Sequence, residues 1–340
     1  MNRSSAARPG SASRVERGYG CGSVKKMFSR AIRVPILLLV AVLLMLGFEV
    51  STARAEQGGG DLGPRTGLDV SWPQCGRILP AGTAYAIVGV NGGTAANTNP
   101  CLADQLAWAF TATTAANPHQ PAVQLYINTG NPGDVLELYN VTTWPIDNLD
   151  GRGENSYGPA DESRRNPYGR CTISTQTVRG LSNDLACSWQ YGWNRAVESV
   201  DQRLGPAARQ AGVSDNAADY RWWLDVETMN SWQHGDADAD ARNTATLEGM
   251  TQFYLAEGAS VGIYSTSYQW SQIVGTTVRD VDPSGSAVGR NLIGLPSWLA
   301  GAADQQDAST RCTSDAGLTG GPVTMIQYIE DDLDHNYSCL

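Results

Sequence analysis

The 340-residue chain carries 24 Lys and Arg against 34 Asp and Glu, and its first 55 residues hold nine of the bases and two of the acids. Without that segment the chain keeps 15 arginines against 32 acids, a formal charge near −17. Such a field excludes binding along a phosphate backbone, which needs clustered cations. No lysine follows Lys26, which also excludes Schiff-base chemistry and a phosphate-cradling lysine loop.

In chain order, Lys25, Lys26, Arg30 and Arg33 precede an apolar run from Val34 to Phe48, and Ala53-Arg54-Ala55 supplies a small-x-small cleavage site. This is the pattern of a secretory signal, and Met27 would start one of ordinary length. Residues 1–55 are therefore expected to be a signal peptide with an extended n-region, and the protein secreted, with possible retention at the cell wall. Contact with a membrane is expected only through an uncleaved signal, since the apolar run is short for a span of about 20 residues. Residues 56–65, with Gly58-Gly59-Gly60, read as a flexible spacer, and 66–340 as one domain.

Strand-like runs follow at Gly67–Val70, Tyr85–Val90, Val123–Asn128, Trp222–Glu227, Val261–Ser265, Ser297–Ala300 and Val323–Tyr328. Helical spacing falls between several of them. One helix follows Pro100, one runs from Trp193 to a stop at Gly205-Pro206, and one ends near Gly258. The acids Asp236, Asp238 and Asp240 read as the start of that last helix, because the glycine and glutamate of a calcium loop are missing. Alternating strands and helices predict an α/β fold with a parallel sheet. Few helices are visible in the last 70 residues, so the final strands are expected to follow one another through loops. Residues of about 131–190 read as a long ordered insertion on the rim of the barrel.

Six cysteines remain after the signal. In a secreted chain they predict disulfides, and joining sequence neighbours gives Cys75–Cys101, Cys171–Cys187 and Cys312–Cys339. No metal-ligand spacing is present, so neither a metal nor a cofactor is expected.

Three acidic segments each close what reads as a strand: Gly67-Leu68-Asp69-Val70-Ser71, Trp223-Leu224-Asp225-Val226-Glu227 and Asp332-Leu333-Asp334-His335-Asn336. Residues two apart in a strand share a face, about 6.5 Å from each other, so Asp225 and Glu227 are expected in one cavity. Paired carboxyls of unequal pKa are the equipment for cleaving a glycosidic bond. In a closed parallel barrel the strand ends Asp69, Asn128, Glu227, Trp298 and Gln327 would meet at one rim. Trp72, Trp223 and Trp298 are candidate sugar-stacking residues. Trp108 and Trp193 have the spacing of helix packing.

These segments, with Gln74, Gly262-Ile263-Tyr264-Ser265, Pro296-Ser297-Trp298-Leu299-Ala300 and Gln327-Tyr328, resemble glycoside hydrolase family 25, the Chalaropsis-type lysozymes, in the family's own order. The resemblance implies an irregular TIM-like (β/α)5β3 barrel and endo-N-acetylmuramidase action on peptidoglycan. It further implies Glu227 as general acid/base, with Asp225, Asp69 and Asp334 as the carboxylates around it, and Tyr264, Trp298 and Gln327 near the sugar. The chain departs from the family at Val90-Asn91-Gly92-Gly93, at Leu125–Gly130 and in its long insertion. A monomer is expected. The alternatives are a silent wall-binding barrel and a chitinase-like hydrolase; the latter's motif has an acid where this chain has Trp223.

Overall fold

The computed structural model describes residues 65–112, 119–133, 144–174, 181–235, 237–275, 278 and 290–340, which all belong to one compact unit, Glu56–Leu340. The signal segment, the spacer up to residue 64, and the insertion's residues 134–143 and 175–180 lie outside the described residues. Among the described residues no helix is long and apolar enough to cross a membrane.

Eight strands close a barrel in sequence order: β1 (Thr66–Val70), β2 (Ala86–Gly89), β3 (Val123–Asn128), β4 (Arg221–Asp225), β5 (Ser260–Ser265), β6 (Ser297–Ala302), β7 (Val323–Glu330) and β8 (Leu333–Ser338). Neighbours from β1 to β7 are parallel, and β8 is antiparallel to both β7 and β1. The third acidic segment therefore opens a strand instead of closing one. Because β8 runs in the reverse direction, its start delivers Asp334 to the rim where the parallel strands deliver their ends.

Helices fill five of the connections: α1 (Leu102–Ala109), α2 (Leu185–Glu198) with α3 (Gly205–Ala211), α4 (Ala237–Ala256), α5 (Ser267–Ile273) and α6 (Gln305–Ser314). Two expectations fail here. The chain does not stop at Gly205-Pro206, because Ser199–Leu204 widens into a π-helical turn and Pro206 occupies the first turn of α3, where its missing N–H costs nothing. The turn that ends α3 is at Gly212, whose φ of 71° suits glycine. The last strands are also separated by α6, a polar helix capped by Asp304 in which only Ala308 is buried, so it carries no apolar stripe to read.

Each strand splits its side chains by period two. Trp222, Leu224 and Val226 face outward into the helix layer, where Trp222 stacks on Tyr254 at 4.4 Å. Tyr85, Ile87, Trp223, Trp298 and Met325 face inward and fill the barrel.

The helix layer is closest where α2 crosses α4. A Cβ on Gly192 would lie 1.9 Å from the Thr246 carbonyl oxygen, and one on Gly249 would lie 2.0 Å from that of Trp189. The two glycines thus let the backbones touch, and Thr246 Oγ1 donates to the Ser188 carbonyl across the contact at 2.9 Å. Gly249→Ala should push the helices apart and cost about 1–3 kcal/mol, read as a lower denaturation midpoint at unchanged slope.

Residues 144–174 of the insertion lie along the flank of α2 and α4, and none of them lines the cleft described below. Polar and aromatic anchors hold it there, which is why its sequence lacks apolar periodicity. Trp193 Nε1 donates to Asp150 at 3.0 Å, Arg152 and Arg164 both pair with Glu257, Tyr168 donates to Glu248, and Trp144 stacks on Tyr191 at 5.0 Å. The disulfides Cys75–Cys101, Cys171–Cys187 and Cys312–Cys339 are present. The second of them ties the insertion to α2.

Candidate active site

At the C-terminal rim of the parallel strands lies a cleft of about 440 Å³ whose walls include Asp69, Asp225, Glu227 and Asp334. The four acids come from three separate stretches of chain. Asp69 and Asp334 are register partners across β1 and β8. Asp225 ends β4, and Glu227 follows on the same face. None of the lining residues is Lys, Arg or His.

Burial dominates the acid–base behaviour of the four acids, and the one opposing charge among its causes is that of His335 on Asp334. Burial, then the charges of Glu227 and Asp69, hold the Asp225 carboxyl well above the ordinary range. Asp69 is also pushed well up, by burial and by the facing Asp334, although Gln327 and Asn336 donate to its Oδ2 at 3.0 and 2.7 Å. Asp334 is raised by burial. Glu227 is raised chiefly by burial, with Gln269 opposing through a hydrogen bond and Asp334 adding repulsion. Burial thus outweighs the neighbouring charges that the sequence suggested, and the charge acting on Glu227 is that of Asp334. Half-buried Glu227 is open to the cleft, whereas Asp225 is only 3% exposed.

The remaining candidates divide. Trp72, Asn128, Tyr264, Trp298 and Gln327 all line the cleft. Asn128 is fixed by Asn91, whose Oδ1 accepts from the Asn128 backbone and side-chain nitrogens at 2.8 and 3.0 Å. Tyr264 donates to Gln327 at 2.7 Å, which continues the chain of hydrogen bonds to Asp69. Trp223 does not reach the cleft. It faces inward as the alternation required, yet it sits one layer below Asp225, fully buried, with its indole N–H on Gln124 at 2.8 Å and its ring against Gly262.

Other residues complete the site. Tyr126 lies below Asn128 on the same face of β3, with its ring edge-on to Trp298 at 6.2 Å, and the alternation that selected Asn128 also marks it. Gln269 and Trp232 act from loops and helices. Gln269 Oε1 accepts from the Thr228 N–H at 2.7 Å, and Trp232 Nε1 donates to the Glu227 carbonyl at 3.0 Å, so both fix the turn that carries Glu227. No sequence spacing announces these two.

Three buried atoms of the cleft's lining residues lack a protein partner: the acceptor Asp225 Oδ1 and the donors Asn230 Nδ2 and Trp298 Nε1. Unmet buried polar groups are costly, so their presence at a cleft points to a ligand that meets them. Among the described residues no group of His, Cys, Asp and Glu is placed to hold a metal ion.

Comparison with known proteins adds the following. The family profile "Lysozyme-like protein 1" matches residues 209–283. No curated protein matches the chain. Solved structures similar to the chain include a muramidase from Trichobolus zukalii and one from Acremonium alcalophilum, each 13% identical, covering 80% of this chain and 92% of the other, with a TM-score of 0.37. A bacterial lysozyme from Streptomyces coelicolor is 14% identical, covers 80% of this chain and 91% of its own, and has a TM-score of 0.38. From the end of α3 through Asp225 and Glu227 to α5 and beyond, the sequence is similar to that of a lysozyme-like family.

Proposed function

We propose that the protein is a secreted glycoside hydrolase that cleaves the amino-sugar strands of peptidoglycan in the manner of an endo-N-acetylmuramidase. The observation that carries this reading is the convergence of Asp69, Asp225, Glu227 and Asp334 in one cation-free cleft. Glycoside cleavage needs a proton for the departing oxygen and negative charge near the oxocarbenium-like carbon. Glu227 is the proton donor, since its raised pKa keeps it protonated above the usual glutamate range while it remains open to substrate. Asp225, directly below, faces the reacting sugar.

Two of the unpartnered atoms support an N-acetylated sugar. Asp225 Oδ1 can accept an amide N–H, and Trp298 Nε1 can donate to an amide carbonyl, so together they complement an acetamido group. An acetamido oxygen held in this way can attack the anomeric carbon, with Asp225 stabilising the oxazolinium ion and Asp334 and Asp69 setting the local field. Residues 1–55 serve as the export segment, and the protein acts as a monomer outside the cell.

Purified protein incubated with insoluble cell wall tests the reading. New reducing ends are the expected result. Co-sedimentation with the wall and no product would mean a binding barrel, and product from chitooligosaccharides alone would mean a chitinase-like enzyme.

A further inference from the structure

Trp72 lines two adjoining cavities. One is the acid cleft, and the other is a depression of about 410 Å³ formed with Gly92, Asn97, Thr98 and Pro100. The indole is 49% exposed, and its position is fixed from both sides. A Cβ on Gly93, whose φ is 79°, would stand 2.6 Å from Trp72 Nε1, so the glycine allows the ring to lie against the backbone. The disulfide Cys75–Cys101 joins the end of the turn that carries Trp72 to the residue after Pro100.

The far wall is equally well built. Asn91 and Thr98 pair through their backbones, and the Gly92 N–H donates to the Asn97 carbonyl at 3.1 Å. Buried Asn99 donates to the Gly89 carbonyl and to Gln105, and Gln105 Nε2 donates in turn to the Ser71 carbonyl at 2.6 Å, one residue before the tryptophan. The depression therefore keeps its shape without a ligand, and its lining is an amide, a hydroxyl, a proline ring and glycine, with no charged group. Such a surface suits a neutral sugar ring, which offers one C–H face to an indole and hydroxyls to polar side chains.

We propose that this depression is an additional sugar subsite, so that a glycan strand held in the acid cleft continues across Trp72 onto the Gly92–Pro100 surface. The proposal rests on the glycan-cleaving reading of the cleft. It makes the protein selective for long strands, because only they can occupy both cavities at once.

The test uses the full chain carrying Glu227→Gln, titrated calorimetrically with peptidoglycan glycan oligomers of stepwise increasing length. Thr98→Arg, and separately Asn97→Trp, fill the depression with an exposed side chain in the same background. Affinity for the longest oligomers should fall about tenfold in both, so that the gain with length is lost. Trp72→Ala should flatten the length dependence in the same way. Length dependence that survives all three substitutions would overturn the subsite while leaving cleavage by the unsubstituted protein intact. No cleavage of any defined muropeptide by the unsubstituted protein would overturn the reading beneath it, and the subsite with it.

Discussion

Glu227→Gln should lower the rate of wall cleavage by about 10²–10⁴-fold, the usual contribution of a positioned general acid, without lowering the melting temperature. The amide keeps the shape of the side chain and can still meet Gln269, but it holds no transferable proton. The pH profile gives the sharper readout. Burial and the Asp334 charge hold Glu227 above the ordinary glutamate range, so activity should persist past that range and fall as pH rises through the raised value. Asp334→Asn removes the repulsion and should move this alkaline limb to lower pH. Wall lysis by Glu227→Gln at the unsubstituted rate would reject the assignment, and a limb that Asp334→Asn leaves in place would reject the electrostatic account of it.

Asp225→Asn should abolish cleavage and at the same time stabilise the fold at neutral pH. In the unfolded chain this carboxyl ionises near its ordinary value of about 3.9. In the folded chain burial, Glu227 and Asp69 raise it well above that. A group of this kind contributes full stability below its unfolded pKa. The contribution is lost as pH rises from there to the folded pKa, at about 1.4 kcal/mol per pH unit crossed. The asparagine variant removes that loss, and each kcal/mol recovered is worth about 2–4 °C in a domain of this size. Melting curves at acidic and neutral pH should therefore show the variant gaining on the unsubstituted protein as pH rises. A gain independent of pH, or a fall at neutral pH, would contradict the desolvation argument.

Much of this site is legible in the sequence because strand periodicity assigns faces. The Trp222-Trp223 pair shows both the strength and the limit of that signal. Alternation sends Trp223 inward with Asp225, but it says nothing of depth, and two residues along a strand separate the rim from the packed interior. The same alternation on β3 marks Tyr126 together with Asn128. Strand direction is a second blind spot, since Asp334 reaches the rim only because β8 is reversed, and pairing partners are not written in a single strand. Elements that carry no apolar stripe stay hidden. α6 is held by a cap, one buried alanine and its disulfide to Cys339, and the insertion by arginine–acid pairs and ring stacking. Pro206 misled because a local widening of the helix absorbed it. The positioning groups Gln269, in the short helix α5, and Trp232, in the loop after β4, act through hydrogen bonds to the turn of Glu227 and Thr228 and leave no periodic pattern.

The reversed closing strand has a consequence for how the molecule is made. Thr66 is paired with Tyr337, so the cylinder cannot be sealed until residue 337 has been synthesised. Until then β1 and β7 each present a bare edge able to recruit a stray strand. An architecture whose keystone arrives last delays compaction of the strands before it. The bridge from Cys312 to Cys339 then fastens that keystone to α6.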